Sequence, residues 1–213
     1  MHLIHRGIVN KYFKENLLKS FKQSFKKGYG IETDIHATKD NKFICFHDFT
    51  LNRIFKKNLS VKNLDYSKIN EISTKFGKPI PLLRDLLKSS GNKHTLFIEI
   101  KPIFSKFLLK KLLKETSKYT KCVFISFKHE NIYKLLNIKK NTKVGLSFCP
   151  PTSVKKIIEK SNKKKINFLT LDKSYIKNKM IQNLKITKYY YTIRTKSEFN
   201  KFKKNNNLIF ENL

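Results

Sequence analysis

Two hydrophobic periods alternate along this 213-residue chain, and that alternation limits its fold more than any other feature. Short β-branched or aromatic runs occur at Leu3–His5, Ile31–His36, Phe43–His47, Thr95–Lys101, Cys122–Phe127, Lys143–Phe148, Asn167–Asp172, Tyr189–Arg194 and Leu208–Phe210. Most are separated by segments whose apolar residues recur at helical spacing. Phe104, Phe107, Leu108, Leu112 and Leu113 form one such stripe, and Val154, Ile157 and Ile158 begin another, each with lysines opposite. Thr195, with Glu198 three residues on, predicts a capping box that opens a last helix carrying Phe199 and Phe202. Roughly eight strands with intervening helices predict an α/β fold, a single (β/α)8 TIM barrel near the lower size limit for that architecture. A doubly wound open sheet is the alternative, but the glycine-rich loop it often carries after its first strand is absent. No fixed-period repeat and no long Pro/Gly/Ser linker divides the chain, so residues 1–213 read as one barrel domain. Only three residues follow the last run, which predicts minimal insertions and a final helix that is missing or very short.

Charge points elsewhere at first sight. Lys and Arg number 47 against 15 Asp and Glu, a net +32 that suggests a polyanion or anionic-membrane partner. Yet only four of those cations are arginines, Arg6, Arg53, Arg84 and Arg194, whereas bidentate recognition of bases and phosphates favours Arg. The abundant Lys, Ile and Asn are the residues that A/T-rich codons encode, so the charge reads as background, and no specific nucleic-acid partner is expected. Lysines interrupt every apolar run, leaving no spanning helix and no signal peptide. Cys45, Cys122 and Cys149 are widely spaced, flanked by apolar residues and odd in number. They read as buried thiols in a reducing compartment, hence a cytoplasmic protein.

In a chain this poor in acids, their placement is informative. Along Ile31–His36 the period of two puts Glu32, Asp34 and His36 on one face and Ile31, Thr33 and Ile35 on the other. In the run ending Ile98-Glu99-Ile100-Lys101, Glu99 and Lys101 share a face. Carboxylates inside strands are costly to bury without cations, hydrogen bonds or a metal. Structural ion pairs with lysines are one reading; a hard cation such as Mg²⁺, Ca²⁺ or Mn²⁺ is the other, and no Cys/His cluster with zinc spacing competes. His5 and His47 close strand runs, where barrel active sites lie, and two imidazoles can serve as general acid and base on either side of a phosphorus. Asp48 either orients a histidine or caps the following turn, with the turn preferred. His2, His94 and His129 receive no role.

His5-Arg6-Gly7, Glu15-Asn16, the run Gly30 to Asp40, His47-Asp48 and Ile98-Glu99-Ile100-Lys101 resemble, in order and spacing, the glycerophosphodiester phosphodiesterases, which are (β/α)8-barrel hydrolases. Weaker similarities continue at Pro81-Leu82-Leu83, Ser126-Phe127 and Tyr191-Thr192-Ile193. The resemblance implies that Glu32, Asp34 and Glu99 hold a divalent metal, Mg²⁺ or Ca²⁺ with Mn²⁺ also suitable. It implies that His5 and His47 are the acid/base pair and that Arg6 and Lys101 bind phosphate. The implied reaction, in lipid and glycerol metabolism, is hydrolysis of a glycerophosphodiester to sn-glycerol 3-phosphate and an alcohol. Which histidine is the acid stays open. Three departures stand out: Lys14 replaces the proline usual before Glu-Asn, Tyr191 stands where the family carries Trp, and Glu211 takes the place of a terminal acid. A related barrel enzyme acting on membrane lipids, a lysophospholipase D or phospholipase C type, is the second reading, with at most peripheral membrane contact. A non-enzymatic polyanion binder is the third.

Overall fold

The computed structural model describes residues 1–162 and 165–211. β1 (Leu3–His5) leads to α1 (Leu18–Lys26), β2 (Gly30–Ala37) and β3 (Phe43–Cys45). An insertion follows, with α2 (Asn52–Phe55), a 3₁₀ turn at Val61–Asn63, α3 (Tyr66–Lys75) and α4 (Leu83–Ser90). Then come β4 (Leu96–Ile100), α5 (Lys106–Glu115), β5 (Cys122–Ser126), α6 (His129–Ile138), β6 (Val144–Phe148) and α7 (Val154–Ser161). The chain finishes with β7 (Phe168–Asp172), a 3₁₀ turn at Lys173–Lys177, α8 (Lys179–Gln182), β8 (Thr187–Ile193), α9 (Lys196–Phe202) and β9 (Asn207–Phe210). β1 pairs in parallel with both β2 and β9, which closes eight parallel strands into a barrel.

The Phe43–His47 run is not a barrel strand. β3 folds back antiparallel on the upper half of β2, with Ile35 opposite Cys45 and Ala37 opposite Phe43, beyond the point where β1 stops pairing. This return brings His47 down to the level of Asp34, whose carbonyl accepts the Phe46 amide at 3.0 Å. Beside it, Ile44, Phe46, Leu51, Phe55, Ile69 and Leu82 bury a small core under the insertion.

Alternation along each barrel strand does two jobs. Ile31, Ile35, Ile98 and Ile100 face outward, fully covered by the helix layer, each contributing about 1.5–3 kcal/mol by burial. The inward series starts apolar and ends charged: Leu3, Phe97, Tyr189 and Ile209 fill the lower barrel, while His5, Glu32, Glu99 and Lys101 line its C-terminal mouth. Serine caps support α5 and α7, and Thr195 accepts the Glu198 amide at 3.2 Å to open α9. Only half of the expected capping box forms, because the Glu198 carboxylate turns to the Arg194 amide and Lys173.

Three expectations are corrected. Phe107 is 62% exposed, since α5 is phased by its Ser105 cap to bury Leu109 and Leu112, and a residue two before Leu109 lies about 200° round the helix. Cys149 is exposed, because β6 ends at Phe148 and Cys149 starts the loop, whereas Cys45 and Cys122 are buried free thiols. Lastly, β3 ends two residues before His47. The expectation about the final helix falls on residues 212–213, outside the described residues. No described helix is long and apolar enough to cross a membrane.

Gly30 sits where the lower barrel is tightest: a Cβ there would lie 2.5 Å from the Thr95 carbonyl oxygen and 2.8 Å from Leu3 Cδ2. The Thr95 carbonyl is held by the Ile31 amide at 3.0 Å and cannot step aside, so Gly30→Ala is expected to cost about 1–3 kcal/mol, read as a lower urea midpoint at unchanged slope.

Candidate active site

Glu32, Asp34 and Glu99 converge at the mouth because neighbouring strands β2 and β4 are in register, with Asp34 opposite Glu99. All three are buried, and each offers an oxygen within 4.8 Å of the others. Two cations answer them. Lys101 Nζ is 2.9 Å from Glu99 Oε1 and 3.5 Å from Asp34 Oδ1, and Arg6 Nε is 3.0 Å from Asp34 Oδ2. Three carboxylates against two cations leave one negative charge in excess, and Glu32 Oε2 is buried without a hydrogen-bond partner. An orphaned carboxylate oxygen in an all-oxygen cluster is a donor set that fits a hard divalent cation.

The titration pattern follows from the same geometry. Burial and the charges of Asp34 and Glu99 push Glu32 well above the usual carboxylate range. Burial and Asp34 raise Glu99 to about 7 against the pull of Lys101. Burial would raise Asp34 too, but Arg6 and Lys101 outweigh it and hold the group low. The cluster is thus strained electrostatically everywhere except at Asp34.

His5 and His47 are both oriented through Nδ1. His5 Nδ1 lies 2.8 Å from Glu211 Oε2, whose other oxygen accepts from Arg194 Nε at 2.7 Å. His47 Nδ1 lies 2.6 Å from Asp48 Oδ1, whose other oxygen accepts from Arg53 Nε at 2.6 Å. Each ring therefore keeps Nε2 for chemistry, and His5 Nε2 stands 3.8 Å from Glu32 Oε2. Contact with His5 outweighs burial and holds Glu211 down at about 2. Burial lowers His47 despite the opposing charge of Asp34.

Behind these groups, Glu15 joins Arg53 to Arg6, and Asn16 donates to Asp34 Oδ2 at 3.4 Å while accepting from Thr33 Oγ1 at 2.8 Å. Arg6 and Asn16 both adopt left-handed backbone, and the Asn16 amide bonds the Arg6 carbonyl at 2.8 Å, so the loop after β1 turns Arg6 back over the mouth. His5, Arg6, Glu32, His47, Glu99 and Lys101 line one cavity of about 200 Å³, with Asp34 just beneath. Phe127 and Tyr191, ring centroids 5.9 Å apart, form its aromatic wall, and the Tyr191 hydroxyl donates to the Phe148 carbonyl at 2.6 Å.

All seven residues singled out in the sequence thus meet at one place. His36 does not: its Nε2 is bonded to the His47 carbonyl at 3.1 Å, and burial drives its pKa down to about 4, making it a prop for the His47 backbone. Asp48 binds His47 and Arg53 instead of capping a turn, which reverses the preferred reading. Arg53, Arg194 and Asn16 had no assigned role. One signal was available: three of only four arginines, Arg6, Arg53 and Arg194, stand at this mouth.

The model of the glycerophosphoryl diester phosphodiesterase family matches residues 5–208. A glycerophosphodiester phosphodiesterase of Caldanaerobacter subterraneus is 29% identical over 160 residues, 68% of this chain and 65% of that protein, so the match spans just under two thirds of that relative. A protein of Mycoplasma genitalium is 28% identical over 97% of this chain and 91% of its own length. The fold is shared with the glycerophosphodiester phosphodiesterase of Thermotoga maritima, at 21% identity and a TM-score of 0.79, covering 98% of this chain and 92% of that one. It is also shared with an Oleispira antarctica phosphodiesterase crystallised with sn-glycerol 3-phosphate, at 16% identity and a TM-score of 0.83, covering 99% and 92%.

Because the folded-state pKa of Glu32 is raised, the cation-free protein loses stability as pH climbs from the unfolded value near 4.5 toward the folded one. In chelator at pH 8, Glu32→Gln is expected to raise Tm by roughly 2–4 °C, a gain that disappears near pH 4. Adding Mg²⁺ or Ca²⁺ is expected to raise the Tm of the original protein and to raise that of the variant much less, as read by thermal unfolding.

Proposed function

Because the chain belongs to the glycerophosphoryl diester phosphodiesterase family, we propose that it hydrolyses glycerophosphodiesters to sn-glycerol 3-phosphate and an alcohol. The observation that carries this reading is the meeting of three buried carboxylates, two Nδ1-anchored histidines and two cations around one cavity. Residues 1–213 would act as a single barrel domain, with a small-molecule diester as partner and no specific nucleic acid. The buried free thiols of Cys45 and Cys122 suit a cytoplasmic setting.

Glu32, Asp34 and Glu99 would hold the divalent metal, Mg²⁺ or Ca²⁺ by the hardness of their oxygens, with Mn²⁺ also compatible. Such an ion, when bound, polarises a phosphate oxygen and offsets negative charge developing on it. Arg6 and Lys101 are poised to bind the remaining phosphate oxygens, and their partial neutralisation by Asp34 and Glu99 keeps them fixed in place. Burial lowers the His47 pKa and so favours the neutral form that a general base requires. His47 Nε2 would take the proton of the nucleophile, a water or the neighbouring glycerol hydroxyl. That leaves His5 to protonate the departing alkoxide, with Glu211 and Arg194 fixing its ring. Tyr191 in place of the family's Trp keeps a flat aromatic wall but anchors it through its hydroxyl to Phe148, so an altered choice of leaving alcohol is expected.

Glycerophosphocholine and glycerophosphoethanolamine are expected to release sn-glycerol 3-phosphate in Mg²⁺ or Ca²⁺ and to stop doing so in chelator. Absent or metal-independent turnover of both would refute the reading. His47→Ala is expected to cut kcat at least about 100-fold with little change in Tm, because the ring is about one-third exposed at the mouth. Asp48→Asn is expected to lower kcat with a smaller effect on KM, since it disturbs the ring through Nδ1 alone.

A further inference from the structure

Exposed large apolar side chains are not spread evenly over this barrel. Tyr12 is 67% exposed, Phe49 55%, Ile103 54% and Phe107 62%, with Leu59 and Phe127 just above one-third. These six sit at the C-terminal end; of the other exposed large apolar side chains among the described residues, Met1 lies at the opposite end beside Thr95, Phe76 stands edge-on to Phe55 in the insertion, and Met180 lies on α8. Tyr12 lies between β1 and α1, and Ile103 and Phe107 lie between β4 and the first turn of α5. Phe127 follows β5 and lines the reaction cavity. Phe49 stands edge-on to His36 above the mouth, and Leu59 is tied back to Leu51 beside it. The opposite end supplies the control within the same molecule. The connections at residues 27–29, 91–95, 116–121 and 139–143 carry Lys27, Lys93, Lys118, Lys121, Lys139, Lys140 and Lys143 and none of the large exposed apolar residues, Met1 beside Thr95 being the exception at that end. Lysines are common to both ends, so what singles out the mouth is the apolar rim.

Lone exposed apolar residues are ordinary; a set of them gathered on successive loops around one opening is the mark of a surface that meets something apolar. The charges beside them say what. Exposed Lys11, Lys14, Lys56, Lys57, Lys106 and Lys128 flank the six side chains, and Lys11 Nζ lies 4.9 Å from the centroid of the Tyr12 ring. Of the acids beside these loops, Glu15 and Asp48 are turned inward onto Arg6, Arg53 and His47, and Glu130 in the first turn of α6 is paired with Lys134. The rim therefore presents apolar tips among uncompensated ammoniums, the pattern that enters the interface of an anionic bilayer. A second copy of a +32 chain is disfavoured as occupant by like-charge repulsion.

We propose that the mouth is a membrane-docking surface, in which Tyr12, Phe49, Leu59, Ile103, Phe107 and Phe127 enter an anionic bilayer interface and turn the reaction cavity toward lipid headgroups. Docking itself stands on the rim. Its consequence for substrate, that lysophospholipid diesters held in the bilayer are cleaved in place, rests on the diesterase reading above.

The test uses the full chain and vesicles of phosphatidylcholine with or without 30% phosphatidylglycerol, and reads binding by co-sedimentation and turnover separately. The protein is expected to sediment with the anionic vesicles at 0.15 M salt and not with the neutral ones. The triple variant Tyr12→Ser, Ile103→Ser, Phe107→Ser is expected to bind at least about tenfold more weakly with unaltered far-UV circular dichroism and Tm, since all three side chains are solvent-exposed. Lys139→Gln with Lys140→Gln, at the other end, is expected to bind as the original protein does. No vesicle binding, or binding that the triple variant keeps and the Lys139/Lys140 variant loses, overturns the proposal, the second result showing non-specific attraction by net charge. Concentration-dependent self-association abolished by the triple variant, without vesicle binding, also overturns it. Lysophosphatidylglycerol in the vesicles is the substrate arm: if binding behaves as expected but neither it nor soluble glycerophosphocholine is cleaved, the diesterase reading fails and docking stands.

Discussion

Three carboxylates share a buried space less than 5 Å across, and the rest of the mouth is arranged around that repulsion. Alone, such a cluster would protonate or open, because the interior solvates charge poorly and the like charges reinforce each other. Arg6 and Lys101 hold Asp34 ionised between them, and Asn16 adds a hydrogen bond from behind. Glu32 and Glu99 are left pushed upward in pKa, one of them with an orphaned oxygen. The site is thus short of positive charge at its centre although the chain as a whole carries +32. That local deficit is what a divalent cation would relieve.

Closure of the barrel makes the crowding tolerable. The strands that bring the carboxylates together are locked on their outer faces by fully buried isoleucines, and on their inner faces by Leu3, Phe97, Tyr189 and Ile209 below the charges. A cluster that repels itself is held by apolar burial one or two residues away along β2 and β4 and by the side chains that neighbouring strands pack beneath it. Around it runs a ring of alternating charge, in which Glu15, Asp48 and Glu211 are interleaved with Arg53 and Arg194. These partly exposed pairs contribute little to stability individually. Their effect is directional: they fix two imidazoles by Nδ1 and leave two Nε2 atoms facing the cavity.

Much of this was legible in the sequence. A period of two was enough to place Glu32 with Asp34 and Glu99 with Lys101, since alternation is a local property of an extended backbone. Helix phase was less secure: Phe107 satisfied the spacing of the α5 stripe but lies outside, because the stripe also admitted a solution through Leu109, and packing chose it. Period alone also did not separate His36 from the acids: it shares the parity of Asp34, as expected, but lies above the barrel rim, where β3 covers it.

By itself, then, the sequence determined the element types, the inward parity of the acids, the barrel and the seven residues that meet at its mouth. Tertiary structure decided who touches whom. His5 and Glu211 are 206 positions apart, and their contact exists only because β9 closes against β1. Arg53 reaches Glu15, 38 positions away, only because β3 doubles back along β2. The gathering of Tyr12, Phe49, Ile103 and Phe107 at one end likewise depends on every βα loop emerging on the same side of a parallel barrel. Spacing along a chain encodes local geometry, whereas long-range pairing depends on ring closure, which no local pattern records.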